Sequence, residues 1–136
     1  MATRVTAIEF HLDRASGVAT YLQLVQQVHQ ALQLGLLEPG DRLPTAQQVV
    51  ASLAINPNTV LKAYRDLERA GLVRARPGMG TFVVATLPRT DPEAQAKFRT
   101  SMSAWLRSAQ AAGLTPDEIE AIYRTALRDC FTEGVA

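Results

Sequence analysis

Apolar residues recur at helical spacing in five segments of this chain, and three shorter runs have the pattern of strands. The helical segments begin near Thr20, Thr45, Asn56, Glu93 and Thr115. The strand runs are residues 5–12, where apolar and polar residues alternate weakly, and residues 72–76 and 81–84 on either side of a turn. The pattern therefore predicts a mainly α protein in which the last two strands form a small hairpin, a β-wing.

Helix start signals support these segments. Thr20, Thr45 and Thr115 are each followed three residues later by glutamine or glutamate, the pattern of a capping box. Asn56 is a strong N-cap candidate, and Pro57 fits the first helical position, where its missing N–H is not needed. The second and third helices are therefore predicted to be separated only by a tight turn.

The third helix has two distinct faces. Its predicted inward positions are apolar: Val60, Ala63, Tyr64 and Leu67. Its opposite positions are polar or basic: Asn58, Lys62, Arg65 and Arg69. A short helix, a turn, this second helix and a hairpin around Pro77–Gly80 follow the order of a winged helix-turn-helix, whose second helix enters the major groove of DNA.

The charge distribution points to the same part of the chain. Residues 42–89 contain seven basic and two acidic residues, a balance of +5, whereas the flanking residues 1–41 and 90–136 each carry −2. A basic segment between acidic flanks indicates a polyanionic partner for that segment. A solvated charge cluster, or a helix that Asn56 and Pro57 merely cap, is the alternative interpretation.

Several side chains of this segment suit DNA. Asn58 can bind adenine or phosphate, Thr59 can reach phosphate or a thymine methyl, and Lys62 and Arg65 can reach guanine or phosphate. Free backbone N–H groups at the start of the third helix would also favour a phosphate. In the wing, Arg74 and Arg76 occupy alternate positions, and Gly78 and Gly80 permit close approach to the backbone.

Residues from about Tyr21 to Val83 resemble the winged-helix domain of the GntR family of bacterial transcription regulators. The resemblance lies in three motifs, GLLEPGDRLPT, NPNTVLKAYRDLERAGLV and the wing GMGTFV. The sequence Asn56–Val60 with Lys62–Tyr64 looks most like the YtrA-like subfamily. The resemblance implies a sequence-specific DNA-binding regulator, most often a repressor that binds a palindromic operator.

The resemblance also implies which residues contact DNA. The family's contact positions fall on Thr45, Gln47, Asn58, Thr59, Lys62, Arg65, Arg76 and Gly78, and of these Gln47 departs from the usual residue. Gln47 and Met79 stand where many members have a basic residue, as do Pro57 and Leu61, so a shallower salt dependence of binding is expected.

The sequence divides into a winged helix-turn-helix domain, residues 1–87, and a linker with two amphipathic helices, residues 88–136. The apolar side chains of those helices exceed what a two-helix hairpin can bury alone. We therefore predict a homodimer formed through Phe98, Met102, Trp105, Ile119, Ile122, Tyr123, Leu127 and Phe131. Packing of the helices on their own winged domain, or a small-molecule effector at the dimer interface, remains an alternative.

Enzymatic chemistry has little support. The two histidines, His11 and His29, form no ligand set, and we expect no metal, no cofactor and no catalytic residue. Cys130 lies on the apolar stripe of the last helix and is predicted to be a small core residue. A lone cysteine and the lack of a long apolar stretch predict a cytoplasmic protein without a membrane span. A winged helix that binds another protein is the rival function.

Overall fold

The computed structural model describes residues 8–132. These residues belong to two compact units, with the boundary between Pro92 and Glu93. The first unit contains α1 (Thr20–Gln33), α2 (Ala46–Leu53), α3 (Pro57–Arg69), β1 (Val73–Arg76) and β2 (Gly80–Val83). The second contains α4 (Pro92–Ala111) and α5 (Pro116–Thr132). The mainly α fold with a small wing is confirmed.

The core of the first unit forms where α1 and α2 pack against α3. Leu24 and Val28 of α1 and Val60 and Ala63 of α3 are completely buried. Full burial of a valine or leucine side chain stabilises a fold by about 1.5–3 kcal/mol. The hairpin closes one side of this core through Val73 and Val83, so the apolar face of α3 is covered from several directions.

The wing is broader than the two predicted strands. β1 and β2 pair in antiparallel fashion, with Arg74 opposite Phe82 and Arg76 opposite Gly80. The segment before α2 then pairs with the other edge of β2. The Leu43 N–H donates to the Thr81 carbonyl at 2.9 Å, the Val83 N–H donates to the Asp41 carbonyl at 2.8 Å, and Arg42 lies opposite Phe82.

The strand predicted over residues 5–12 is wrong for residues 8–12, and residues 5–7 lie outside the described part of the chain. Side chains of α1 take the place of a strand partner. Gln27 accepts a hydrogen bond from the His11 N–H at 2.9 Å and donates one to the His11 carbonyl at 2.6 Å. Ile8 and Phe10 still lie buried in the core. Burial of these two side chains therefore explains the alternation of apolar residues, and no sheet is needed.

One of the three predicted capping boxes is also wrong. The N-cap of α1 is Ala19, which has no side-chain cap, although the helix begins at Thr20 as expected. The Gln23 side chain accepts from the Asp13 N–H and donates to the Val18 carbonyl, both at 2.9 Å. Gln23 therefore holds the chain that leads into α1 and cannot bond the Ala19–Thr20 backbone.

The second unit has well-formed helices but almost no buried core. The Thr115–Glu118 capping box is formed at the start of α5, as predicted. Among the described residues of this unit, Ala109 is the one buried apolar residue. Cys130 is exposed, which corrects the prediction that it is a core residue, because the stripe of α5 on which it lies is itself exposed.

Candidate nucleic-acid interface

Helix α3 presents a polar face opposite its buried one. Val60, Ala63 and Leu67 are at most 1% exposed, whereas Asn58, Lys62 and Arg65 are exposed and Thr59 is half-buried. An amphipathic helix of this kind, supported by a second helix, is the arrangement with which helix-turn-helix proteins read the major groove. The structure thus places three of the predicted contact residues along one exposed face.

The first turn of α3 offers side chains rather than backbone groups. The Asn56 side chain accepts from the Asn58 N–H at 2.8 Å, and the Asn56 carbonyl accepts from the Thr59 N–H at 3.0 Å. Pro57 has no N–H to offer. The expected free N–H groups of Asn58 and Thr59 are therefore occupied, and the exposed Asn58 carboxamide is one of the side-chain groups that remain.

The start of α2 keeps one donor available. The Thr45 hydroxyl oxygen accepts from the Gln48 N–H at 3.1 Å, and the Gln48 side chain accepts from the Thr45 N–H at 2.8 Å. Because the hydroxyl oxygen acts as an acceptor in this capping box, its hydrogen stays free to donate to a phosphate. Gln47 lies exposed in the next turn.

A buried hydrogen bond connects α3 to the residue that precedes the N-cap of α2. Tyr64 of α3 is 8% exposed, and its hydroxyl donates to the Pro44 carbonyl at 2.6 Å. Burial raises the pKa of the Tyr64 phenol far above its ordinary value, so the hydroxyl stays a donor at neutral pH. Since Pro44 directly precedes Thr45, this bond sets the start of α2 relative to α3.

Lys62 is positioned by an aromatic ring of α1. Its ammonium nitrogen lies 4.2 Å from the centroid of the Tyr21 ring, within the range of a cation–π interaction. Such a contact restricts a long side chain that otherwise samples many rotamers. Lys62 is therefore held at the α1 side of the exposed face.

The wing carries arginines around one aromatic side chain. The guanidinium carbon of Arg76 lies 5.1 Å from the centroid of the Phe82 ring. Phe82 is only 7% exposed, and Arg74 and Arg42 lie opposite it on its two neighbouring segments. Directly opposed residues of antiparallel strands project to the same face. Arg42, Arg74 and Arg76 thus share one face of the wing.

Known proteins share this arrangement. The model of the bacterial regulatory proteins of the gntR family matches residues 20–83. The chain is 32% identical over 119 residues to the uncharacterized HTH-type transcriptional regulator YhcF of Bacillus subtilis, with 88% of this chain and 94% of that protein covered. The chain belongs to the GntR family. It is a transcription regulator whose winged helix is a DNA-binding unit.

A second relative places the chain near the YtrA-like regulators. It is 38% identical over 72 residues to the HTH-type transcriptional repressor YtrA of Bacillus subtilis. That match covers 53% of this chain and 55% of the repressor, so the two proteins correspond over about half of their lengths.

Solved structures of the GntR type share the fold. The transcriptional antiterminator of Listeria monocytogenes EGD-e superposes with a TM-score of 0.57 at 26% identity, over 91% of this chain and 93% of that chain. YtrA of Sulfolobus acidocaldarius, a GntR-family transcription factor, gives 0.52 at 24% identity, over 75% and 97%. The AraR DNA-binding domain in complex with an operator gives 0.50 at 24% identity, over 57% and 96%.

The predicted contact residues of this GntR protein lie in three places. Thr45 and Gln47 belong to the start of α2, and Arg76 and Gly78 belong to the wing. The others line the exposed face of α3: Asn58, Thr59, Lys62 and Arg65. Sequence reasoning missed Tyr21 and Arg42 as residues of this region, because both reach it through contacts with elements distant in sequence.

The residues predicted for dimerisation lie along one apolar groove between α4 and α5, which we call the helix-pair groove. Ile119 is half-buried, and the other seven are exposed: Phe98, Met102, Trp105, Ile122, Tyr123, Leu127 and Phe131. The backbones of the two helices are not closely packed against each other.

Within the described residues, none of the helices has the length and apolar character of a membrane span.

Proposed function

We propose that this protein is a repressor that binds a palindromic operator as a homodimer. The observation that carries the proposal is that the chain has two chemically different surfaces. The winged unit has a polar and basic face, and the helix pair has an exposed apolar groove. A two-fold dimer would present two copies of α3 to two half-sites related by the same symmetry.

In the proposed complex, Asn58, Thr59 and Lys62 dock in the major groove, while Arg76 and Gly78 hold the backbone. Asn58 supplies an exposed carboxamide, which can bond adenine through its paired donor and acceptor. Thr45, Gln47 and Arg65 flank this region, and Thr45 keeps a hydroxyl hydrogen for a phosphate. Because the Tyr21 ring holds the Lys62 ammonium beside α1, Lys62 would enter the major groove at its edge, within reach of a phosphate.

The proposed dimer uses the helix-pair groove with a second copy as its occupant. Eight large apolar side chains of the described part of the helix pair are between 39% and 75% exposed, and they follow both helices in succession. Soluble monomers rarely expose a contiguous apolar surface of this kind. The exposed side chains of α5 include two ion pairs, Glu120 with Arg124 and Arg128 with Asp129, so a second copy meets both charge signs there.

The proposal of repression rests on the role that is named for one relative. The Bacillus subtilis protein that matches 72 residues of this chain is a transcriptional repressor. A dimer seated on an operator that overlaps a promoter would exclude the polymerase without any further activity. A reporter under the protein's own promoter tests this step, and expression that rises with the regulator would contradict repression.

The contact assignment is tested with Lys62→Ala. The variant should bind a palindromic operator duplex more weakly, and the slope of log K against log salt should become shallower by about one, as expected for one lost phosphate contact. Fluorescence anisotropy over a series of salt concentrations measures both quantities.

Tyr21 provides the matched controls for this measurement. Tyr21→Phe keeps the ring under the ammonium and should leave the salt slope unchanged, whereas Tyr21→Leu removes the ring and should weaken binding. In the Lys62→Ala background, Tyr21→Leu should have no further effect on affinity. An unchanged affinity and slope for Lys62→Ala would remove this residue from the interface.

A further inference from the structure

Three arginines share the face of the wing on which Phe82 lies, and only two of them come from the hairpin. Arg74 lies opposite Phe82 on β1, and Arg76 covers the ring at 5.1 Å. Arg42 reaches the same face from the other edge of β2, where it lies opposite Phe82 in the segment that precedes α2. We call Arg42, Arg74 and Arg76 the basic wing face.

A glycine creates the space that Arg42 occupies. A Cβ atom at Gly80 would lie 2.9 Å from Nε and 3.5 Å from the guanidinium carbon of Arg42. The first of these contacts is shorter than real Cβ contacts, so a side chain at position 80 would displace the Arg42 guanidinium from its present place over β2. Because Gly80 lies opposite Arg76 in the sheet register, the two arginines approach the same part of the hairpin from its two sides.

The basic wing face has no ion-paired arginine among the described residues, and the carboxylate of Glu68 beside it is bound to the Ala75 N–H, between Arg74 and Arg76, at 2.7 Å. All three arginines of this face are exposed. Like charges held on one small face repel each other, and a polyanion relieves that repulsion. Arg42 and Arg76 also line one shallow depression together with Thr45 and Gly78, which are already assigned to the DNA backbone.

We propose that Arg42 is a further DNA-backbone contact. Its side chain lies over Gly80, so that Arg42 and Arg76 bind phosphates from the two edges of the same wing face. The proposal rests on the proposed function, since it assumes that the wing lies along the backbone. It deepens that function by making the segment before α2 part of the wing. The duplex phosphate backbone is the ligand, so the contribution of Arg42 should not depend on the base sequence.

The test uses the full-length protein and substitutions that keep the length of the side chain. Arg42→Met removes the charge but keeps an unbranched stem over Gly80, and Arg42→Lys keeps the charge. Arg42→Met should weaken duplex binding roughly tenfold at low salt, as for one lost charge-assisted hydrogen bond, and make the salt slope shallower by about one. Arg42→Lys should retain the wild-type slope. The loss for Arg42→Met should be equal on operator and scrambled duplexes.

Arg99→Met in α4 is the control, because it removes one exposed positive charge from the other unit and should leave the slope unchanged. An Arg42→Met slope equal to that of the wild type would overturn the proposal, and so would an Arg42→Lys slope as shallow as that of Arg42→Met. Failure of the proposed function is a different result, since Arg76→Met and Lys62→Ala would then leave the slope unchanged as well.

Discussion

The winged unit and the C-terminal helix pair both consist of amphipathic helices, but they treat their apolar faces differently. Of the 18 buried apolar residues among those described, 17 lie in the winged unit and one, Ala109, lies in the helix pair. The reason is the number of layers. Helix α3 is covered by α1, α2 and the hairpin of its own unit, whereas α4 and α5 are the two helices of theirs and leave a groove between them.

This difference separates the two tasks of the protein. A closed core can hold side chains such as Asn58 and Lys62 in a defined geometry, which recognition of a nucleic acid requires. Covering an open apolar groove with a partner lowers the free energy, because apolar surface is removed from water. We infer that the winged unit folds by itself, and that the helix pair acquires its full stability only in the proposed dimer.

The largest expected effect tests the groove directly. Trp105→Glu places a charge among apolar side chains and should weaken dimerisation by about 2–4 kcal/mol, the range of a truncated interface hot spot. Analytical ultracentrifugation at micromolar concentration should then find a monomer. Arg99→Glu on the same helix should remain dimeric. A Trp105→Glu variant that is still dimeric would mean that the two copies associate elsewhere.

The same residue reports association in the unmodified protein. Trp105 is the single tryptophan of the chain and is 40% exposed in one copy. Its fluorescence emission should shift to shorter wavelength as protein concentration rises, because a second copy removes it from water.

The second prediction compares two tyrosines, one in each unit. Tyr64→Phe leaves the buried Pro44 carbonyl without its donor and should lower the free energy of unfolding by about 1–3 kcal/mol. Tyr123→Phe removes a hydroxyl from a residue that is 44% exposed and should change the free energy of unfolding by less than about 0.5 kcal/mol. Urea unfolding followed by circular dichroism measures both. Equal effects would show that the Tyr64 bond does not stabilise the winged unit.

The third prediction concerns alkaline pH. The pKa of Tyr64 is raised above its ordinary value of 10.0 by burial. Above that pH the unfolded chain releases the phenolic proton while the folded chain retains it, so stability is full below pH 10 and falls as the pH rises. The extra slope should be about 1.4 kcal/mol per pH unit in the wild type and absent in Tyr64→Phe. Parallel pH profiles for the two proteins would contradict the burial of this phenol.

The smallest expected effect compares the two capping boxes that form. Thr45→Ala and Thr115→Ala each remove an N-cap side chain and should each lower stability by about 1 kcal/mol. Only Thr45→Ala should also reduce duplex affinity under conditions in which both variants are folded and dimeric, because Thr45 lies beside the wing. Anisotropy titrations of the two variants measure the difference. Equal affinities would limit Thr45 to a structural role.

The outcomes for particular residues show how far sequence reasoning extends. The N-caps at Thr45, Asn56 and Thr115 were predictable, because each depends on groups within three residues of the cap. The cap expected at Thr20 is not formed, because Gln23 binds a segment ten residues earlier instead. The apolar stripe of α5 was predictable, but its exposure, and with it that of Cys130, was not.

The sequence by itself determined the order of helices, the buried and polar faces of α3, and the hairpin with its glycines, because periodicity and local hydrogen bonds suffice for these features. Only the tertiary structure decided that Arg42 lies over Gly80 beside Arg76, that Lys62 rests on Tyr21 and that Tyr64 holds Pro44. These contacts join residues 20 or more positions apart. They depend on strand register and helix packing, to which local patterns contribute no information.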